Sequence, residues 1–371
     1  MRTDRCRIAS LVLLALAAPA LAGPLTPPVG VIQSTMKTLA EVEPRTPISD
    51  ATTPGDGDSR FRITQPGSYY LTSSFTVGGG LAGIEIAAHD VTIDLNGFTI
   101  TGGAGTRAGV QGGVSQRPTL RNGTIRAMTL VGVDFSGCDS AVIERVTVES
   151  CAGGGIVSGN RALISDCIAR SNGSRGIAAQ AGSRVRDSIA ANNDGIGFTV
   201  GSGAVAVNCT AYDNNGDGFT TNDGAVIQDC LASSNEDDGF DVTWGITVTG
   251  SVAIANAGHG FAFGAHCHIE GNSARGNGSS LAIVGAGFYS ESVGTGSTVR
   301  GNSARQNEIG FKIDGVNNVL TSNVAGTSSS VNYQIAAGNR VAQIVLMGAS
   351  AAINGNSGGT ALPSADANLA H

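Results

Sequence analysis

The chain has 371 residues, of which 55 are glycine, 5% are aromatic and 14% are charged, with a single tryptophan. That is poor in large side chains for an ordinary globular core, yet far from the one-third glycine of a collagen. A net charge of −7 leaves no electrostatic footprint for nucleic acid, so no nucleic-acid partner is expected.

In chain order, Arg2, Arg5 and Arg7 precede the apolar run LVLLALAAPALA, which ends in Ala20-Leu21-Ala22 before Gly23. This pattern predicts a Sec-type signal peptide over residues 1–22 and a secreted, periplasmic or cell-surface mature protein. The run is shorter than the ~20 residues a bilayer span needs, and no later stretch is apolar enough, so no membrane span is expected. Residues 23–59 read as a linker with a possible capping segment. Pro24, Pro27 and Pro28 mark the linker, and STMKTLAEVEP (34–44) predicts a short helix opened by Ser34 and stopped by Pro44. Terminal coils of a repeat array need such a cover.

Residues 60–345 repeat. Glycine followed by Ile, Val or Phe recurs at Gly83, Gly109, Gly132, Gly155, Gly176, Gly197, Gly218, Gly239, Gly260, Gly287 and Gly310, with successive spacings of 26, 23, 23, 21, 21, 21, 21, 21, 27 and 23. A period near 22 sustained this long is a solenoid signature. A second segment keeps the same period, with columns Ile164, Val185, Ala206, Ile227, Val248, Ile269, Val299 and Ala169, Ala190, Ala211, Ala232, Ala253, Ala274, Ala304, Ala325. Alternation at period two predicts short strands. Asn172, Asn193, Asn214, Asn235, Asn256 and Asn277, resumed at Asn307, form a column suited to turns and left-handed backbone. Stacked one per coil, their amides can also bond one another. Residues 346–371, small and polar, read as a frayed C-terminal tail.

Six cysteines follow the signal peptide. Export makes disulfides the first thought, but Cys167, Cys209 and Cys230 share a column with Ser188 and Ser251 and read as small interior rungs. A Cys209–Cys230 bridge between adjacent coils is possible. The state of Cys138, Cys151 and Cys267 stays open, and no spacing suggests zinc.

Short strands separated by Gly/Asn turns and stacked at ~4.8 Å per coil give an all-β parallel solenoid of about 21–23 residues per coil. With its Gly-Phe strands and Asn column, the sequence resembles the right-handed single-stranded parallel β-helix of the pectin-lyase-like class. That resemblance implies a fold, and a superfold of this kind hosts many activities. A monomer is expected.

One position before the repeating glycine, successive coils carry Gly154, Arg175, Ile196, Asp217, Asp238, His259, Ala286 and Ile309. Asp, Asp and His thus occupy three consecutive rungs, with Asp237 beside them. Two positions after the glycine, Asp241 and Lys312 should face outward on the same sheet. Glycoside hydrolysis needs one carboxyl group to protonate the leaving oxygen and another to activate water or attack, and crowded carboxylates raise the pKa of at least one. The row is similar to that of polygalacturonases, in which Asn-x-Asp, Asp-Asp and Gly-His-Gly occur about one coil apart. Here they are Asn215-Gly216-Asp217, Asp237-Asp238 and Gly258-His259-Gly260. The resemblance implies Asp238 as general acid, Asp217 and Asp237 positioning water, and His259 in support. That family's Arg-Ile-Lys is missing, and the nearest candidate is Lys312 in GFKID, two coils on. Asn215, Asp241, Lys312 and Trp244, which closes the Asp238 strand as a possible sugar platform, complete the expected substrate-binding set.

Other readings stay open. Turn positions before glycine favour Asp for conformational reasons alone, which would make the row a solvated turn edge. No metal or cofactor is required, although Asp217, Asp237, Asp238 and Asp241 supply oxygens suited to Ca²⁺ in a lyase. An epimerase reading rests on Gly239-Phe240-Asp241, but Val242-Thr243 stands where that family has Pro-His. A non-catalytic glycan-binding or adhesion solenoid would use the same face. A longer loop, GSSLAIVGA (278–286), breaks the period just after the row, and such interruptions tend to build the binding face. The expected partner in every case is extracellular polysaccharide.

Overall fold

The computed structural model describes residues 44–278, 284–346, 353–355 and 368–370. The expected signal peptide and capping helix, and residues 279–283 of the period-breaking loop, lie outside the described residues. The described residues form a right-handed parallel β-helix containing strands and turns but no helix.

Each coil contributes one strand to a 14-stranded parallel sheet running from Ser59–Ile63 to Ile353–Gly355. The remaining strands form the other face, where two short strands per coil meet at a bend, as in Leu163–Ser165 and Ile168–Arg170. The columns legible in the sequence are the registers of this wall. Ile164, Val185, Ala206 and Ile227 are successive Cα partners, as are Ala169, Ala190, Ala211 and Ala232.

Like stacks on like in the core. Phe198, Phe219, Phe240, Phe261, Phe288, Phe311 and Tyr333 form one continuous pile, each ring 4.6–5.1 Å from the next and tilted by 2–9°. The ring spacing matches the strand spacing, so every aromatic is buried without disturbing the coil rise. Beside the glycines that open these strands runs the asparagine column. The Asn214 amide donates to Asn235 Oδ1 at 2.9 Å, Asn235 to Asn256 at 2.9 Å, and Asn256 to Asn277 at 2.9 Å. Each Oδ1 also accepts the backbone N–H of the preceding coil's asparagine, as Asn235 does from Asn214 at 3.2 Å. These residues are fully buried, and their polar atoms are satisfied within the ladder.

The left-handed backbone falls elsewhere than expected. It sits one residue before the ladder, at Ser171, Asn192, Asp213, Ser234 and Ala255, because the asparagines themselves must point inward. Within the C-terminal segment, three described residues join the wall. Asn368–Ala370 pairs with Val324–Gly326 and Ile344–Leu346, and Asn368 accepts from Asn323 at 3.1 Å. At the near end, Thr46–Pro47 already pairs with Tyr69–Tyr70 inside the expected linker.

The repeating glycine marks where the chain enters the 14-stranded sheet. A Cβ on Gly218 would lie 2.6 Å from the carbonyl oxygen of Gly239 and 2.8 Å from the Ala232 Cβ. Only glycine admits that approach. The residue before it therefore stands at a tightly held edge, in the same place on every coil.

Candidate functional site

That edge aligns the row coil by coil. The amides of Gly197, Gly218, Gly239 and Gly260 donate to the carbonyls of Asp217, Asp238, His259 and Ala286 at 2.8–2.9 Å. The side chains form a second ladder outside this one. The Asp238 N–H donates to Asp217 Oδ1 at 3.0 Å, the His259 N–H to Asp238 Oδ1, and the Ala286 N–H to His259 Nδ1 at 2.9 Å. Each row residue thereby caps a backbone donor of the next coil. One oxygen of each aspartate and Nε2 of the imidazole stay clear of that ladder. Because Nδ1 accepts a hydrogen bond, the imidazole is neutral with its proton on Nε2.

Asp217 and Asp238 are half-buried, His259 is 7% exposed, and Asp237 is exposed. Burial pushes the Asp238 carboxyl up to about 8, aided by the charges of Asp217, Asp237 and Asp241 and opposed by the His259 amide. Burial likewise raises Asp217 to about 7, with Asp237 and Asp241 adding to it. His259 is lowered to about 4, first by burial and then by Lys312. These are the directions that desolvation and like charge impose on an acid and a base. Asp217, Asp237 and Asp238 present oxygens all within 4.8 Å of one another, a span that one water can bridge with two hydrogen bonds.

Glycine at 258 makes room for the acid. A Cβ there would lie 2.3 Å from Asp238 Oδ1 and 3.1 Å from Asp237 Oδ1. The Gly258 N–H also donates to the Asp237 carbonyl at 3.0 Å.

Not all of the expected residues gather at this row. Asp241 points outward from strand Phe240–Val242, with its carboxyl raised by burial, Glu291 and Asp237. Lys312 lies three coils further along the same outward column, through Ala262 and Tyr289. It reaches back over the Tyr289 ring at 4.9 Å and pairs with Asp314 at 3.4 Å. Asn215 is exposed and contacts Asp194 at 3.4 Å. Trp244 stands apart. It is 54% exposed at the exit end of the strand whose entry carries Asp238, and it meets His266 edge-on at 5.5 Å. A sugar on Trp244 would lie across the full strand from the acids.

Sequence reasoning missed two participants. Tyr289 stacks on His259 with centroids 4.3 Å apart and links it to Lys312. Glu291 adds a further negative charge beside Asp241. The signal for Tyr289 was its position two after Gly287, in the column that singled out Asp241 and Lys312.

A family model described as a right-handed β-helix region matches this chain in three overlapping segments, residues 74–204, 108–249 and 181–304. Among solved structures, the chain is similar to the A-module of mannuronan C-5 epimerase AlgE4 of Azotobacter vinelandii. The TM-score is 0.53 at 18% identity, covering 74% of this chain and 91% of that one. The A-module of AlgE6 from the same organism gives 0.50 at 18%, covering 82% and 89%. The catalytic domain of a GH87 α-1,3-glucanase gives 0.56 at 11%, covering 75% and 63%. At such identities the likeness is one of fold. No curated protein matches the sequence.

Proposed function

The chain belongs to the right-handed β-helix family, and from its acid row we propose that it is an exported enzyme that hydrolyses a glycosidic bond in extracellular polysaccharide. The observation carrying this reading is the aligned Asp217–Asp238–His259 edge, which holds two carboxyl groups with raised pKa values beside a neutral imidazole. Asp238, raised to about 8, keeps its proton near neutral pH and donates it to the leaving oxygen. Asp217, raised less, is the first of the pair to ionise and accepts a proton from the attacking water, which Asp237 helps to hold. The neutral His259 offers Nε2–H as a donor, with its ring orientation fixed by the Ala286 amide and the Tyr289 face.

A second reading has its own observation. Three carboxylate oxygens within 4.8 Å would suit a Ca²⁺ ion, and cleavage would then proceed by elimination. Product chemistry separates the two. Hydrolysis yields reducing ends with no ultraviolet-absorbing unsaturated sugar and survives chelation. Elimination yields the chromophore and stops with chelator.

A further inference from the structure

The charges around the row bear on what it binds. Asp217, Asp237, Asp238, Asp241 and Glu291 crowd one stretch of the sheet edge and its outward face, where the charges of Asp217, Asp237, Asp241 and Glu291 raise neighbouring carboxyls. The row's own cation, Arg175, lies two coils before Asp217, about 10 Å away at the strand spacing. Lys312 lies on the other side and is already paired with Asp314. A polyuronate carries a carboxylate on every sugar, and each coil's rise of ~4.8 Å is close to the length of one pyranose. Several of its charges would therefore face this carboxylate cluster without a counter-ion, where like charges repel.

Beside that edge, reaching the column two residues earlier in each coil, a shallow groove of about 530 Å³ runs away from the acids, a volume typical of small-ligand clefts. It climbs coil by coil from Gly102 and Gly103 through Thr129, Ser150 and Gly173 to Asp194. Asp194 touches Asn215, two residues before Asp217, so the groove ends beside the row. The lining is backbone, small apolar side chains and hydroxyls, with a single carboxylate and no lysine or arginine.

We propose that the substrate is an uncharged, hydroxyl-rich glycan whose distal units lie in the groove between Gly103 and Asp194 while its reacting bond lies on the acid row. This rests on the polysaccharide reading above and names the substrate class and a distal subsite. Hydroxyls and backbone carbonyls there recognise sugar hydroxyls, and the acids exclude uronates from the reacting subsites.

The test is calorimetric binding to Asp238→Asn protein of length-matched hexasaccharides, of glucose, mannose, galactose and xylose on one side and of galacturonate and mannuronate on the other. The expected result is binding of a neutral hexamer at least tenfold tighter than either uronate. Ala152→Trp, which fills the groove, should weaken that hexamer about tenfold and leave its trimer unchanged. Ala104→Trp, on an exposed turn at the far end of the groove, repeats the test should the first variant not fold. A uronate hexamer binding as tightly as the best neutral one would overturn the proposal while leaving a polysaccharide site standing. Neutral binding indifferent to both tryptophans would remove the groove from it. Failure of every hexamer to bind would sink the polysaccharide reading as well.

Discussion

The backbone N–H of Asp238 donates to the carboxylate of Asp217 one coil away, at 3.0 Å. That bond ties a stacking interaction of the fold to a group of the site. The acid is held at a fixed height on the solenoid edge by the same coil-to-coil repeat that builds the core.

The two carboxyls should impose a narrow pH dependence. Asp217 must be ionised, which favours pH above about 7, and Asp238 protonated, which favours pH below about 8. A bell-shaped kcat/KM profile with its maximum between these values is expected, its limbs belonging to the coupled pair. An optimum near pH 4 would mean that neither carboxyl is shifted.

Stability should follow the same groups with the sign of linkage. The Asp238 pKa is raised in the folded state, so its contribution is full below about pH 4 and is lost as pH rises through about 8. An amide cannot ionise but can still accept the His259 N–H. Asp238→Asn should thus match the parent below about pH 4 and exceed it by a margin that grows up to about pH 8, reaching several kcal/mol. His259 works the opposite way, its contribution being present above about pH 6.5 and lost as pH falls through about 4. Urea denaturation at several pH values checks both.

The asparagine ladder predicts a sharp contrast between neighbours. Asn235→Ala removes the acceptor of the Asn214 amide and backbone N–H and the donor to Asn256, all buried. A loss of roughly 3 kcal/mol is expected from the orphaned groups. Asn215→Ala, exposed and bonded only weakly to Asp194, should change stability by less than about 0.5 kcal/mol.

Gly258→Ala should damage the site without unfolding the coil. The new Cβ would lie 2.3 Å from Asp238 Oδ1, whereas at Gly216 the nearest atom is a backbone carbon at 3.2 Å. Activity is predicted to fall about tenfold or more in Gly258→Ala, in line with displacement of a positioned acid, with far-ultraviolet circular dichroism unchanged. Gly216→Ala should lose much less.

Much of this architecture was legible because the period holds. At an unbroken 21 residues, Asn193, Asn214 and Asn235, or Ala190, Ala211 and Ala232, can be stacked by counting, and so can Asp217, Asp238 and His259. Counting failed where the period changes. Tyr289 follows the 27-residue interval and was passed over, although it stacks on His259. Trp244 shows a different limit of counting. It is near Asp238 in sequence, but a strand carries it to the opposite edge of the sheet. The room that Gly258 leaves for Asp238 and the groove toward Asp194 come from backbone approach across coils, which no residue type announces.

The most direct test of the central claim is release of reducing ends from neutral polysaccharides at about pH 7.5 by the parent protein and by Asp238→Asn. Release by the parent and a loss of at least about a hundredfold in the variant are expected, the scale of removing a general acid. Equal release by both proteins would contradict that claim, because the proton would then come from somewhere other than the acid row.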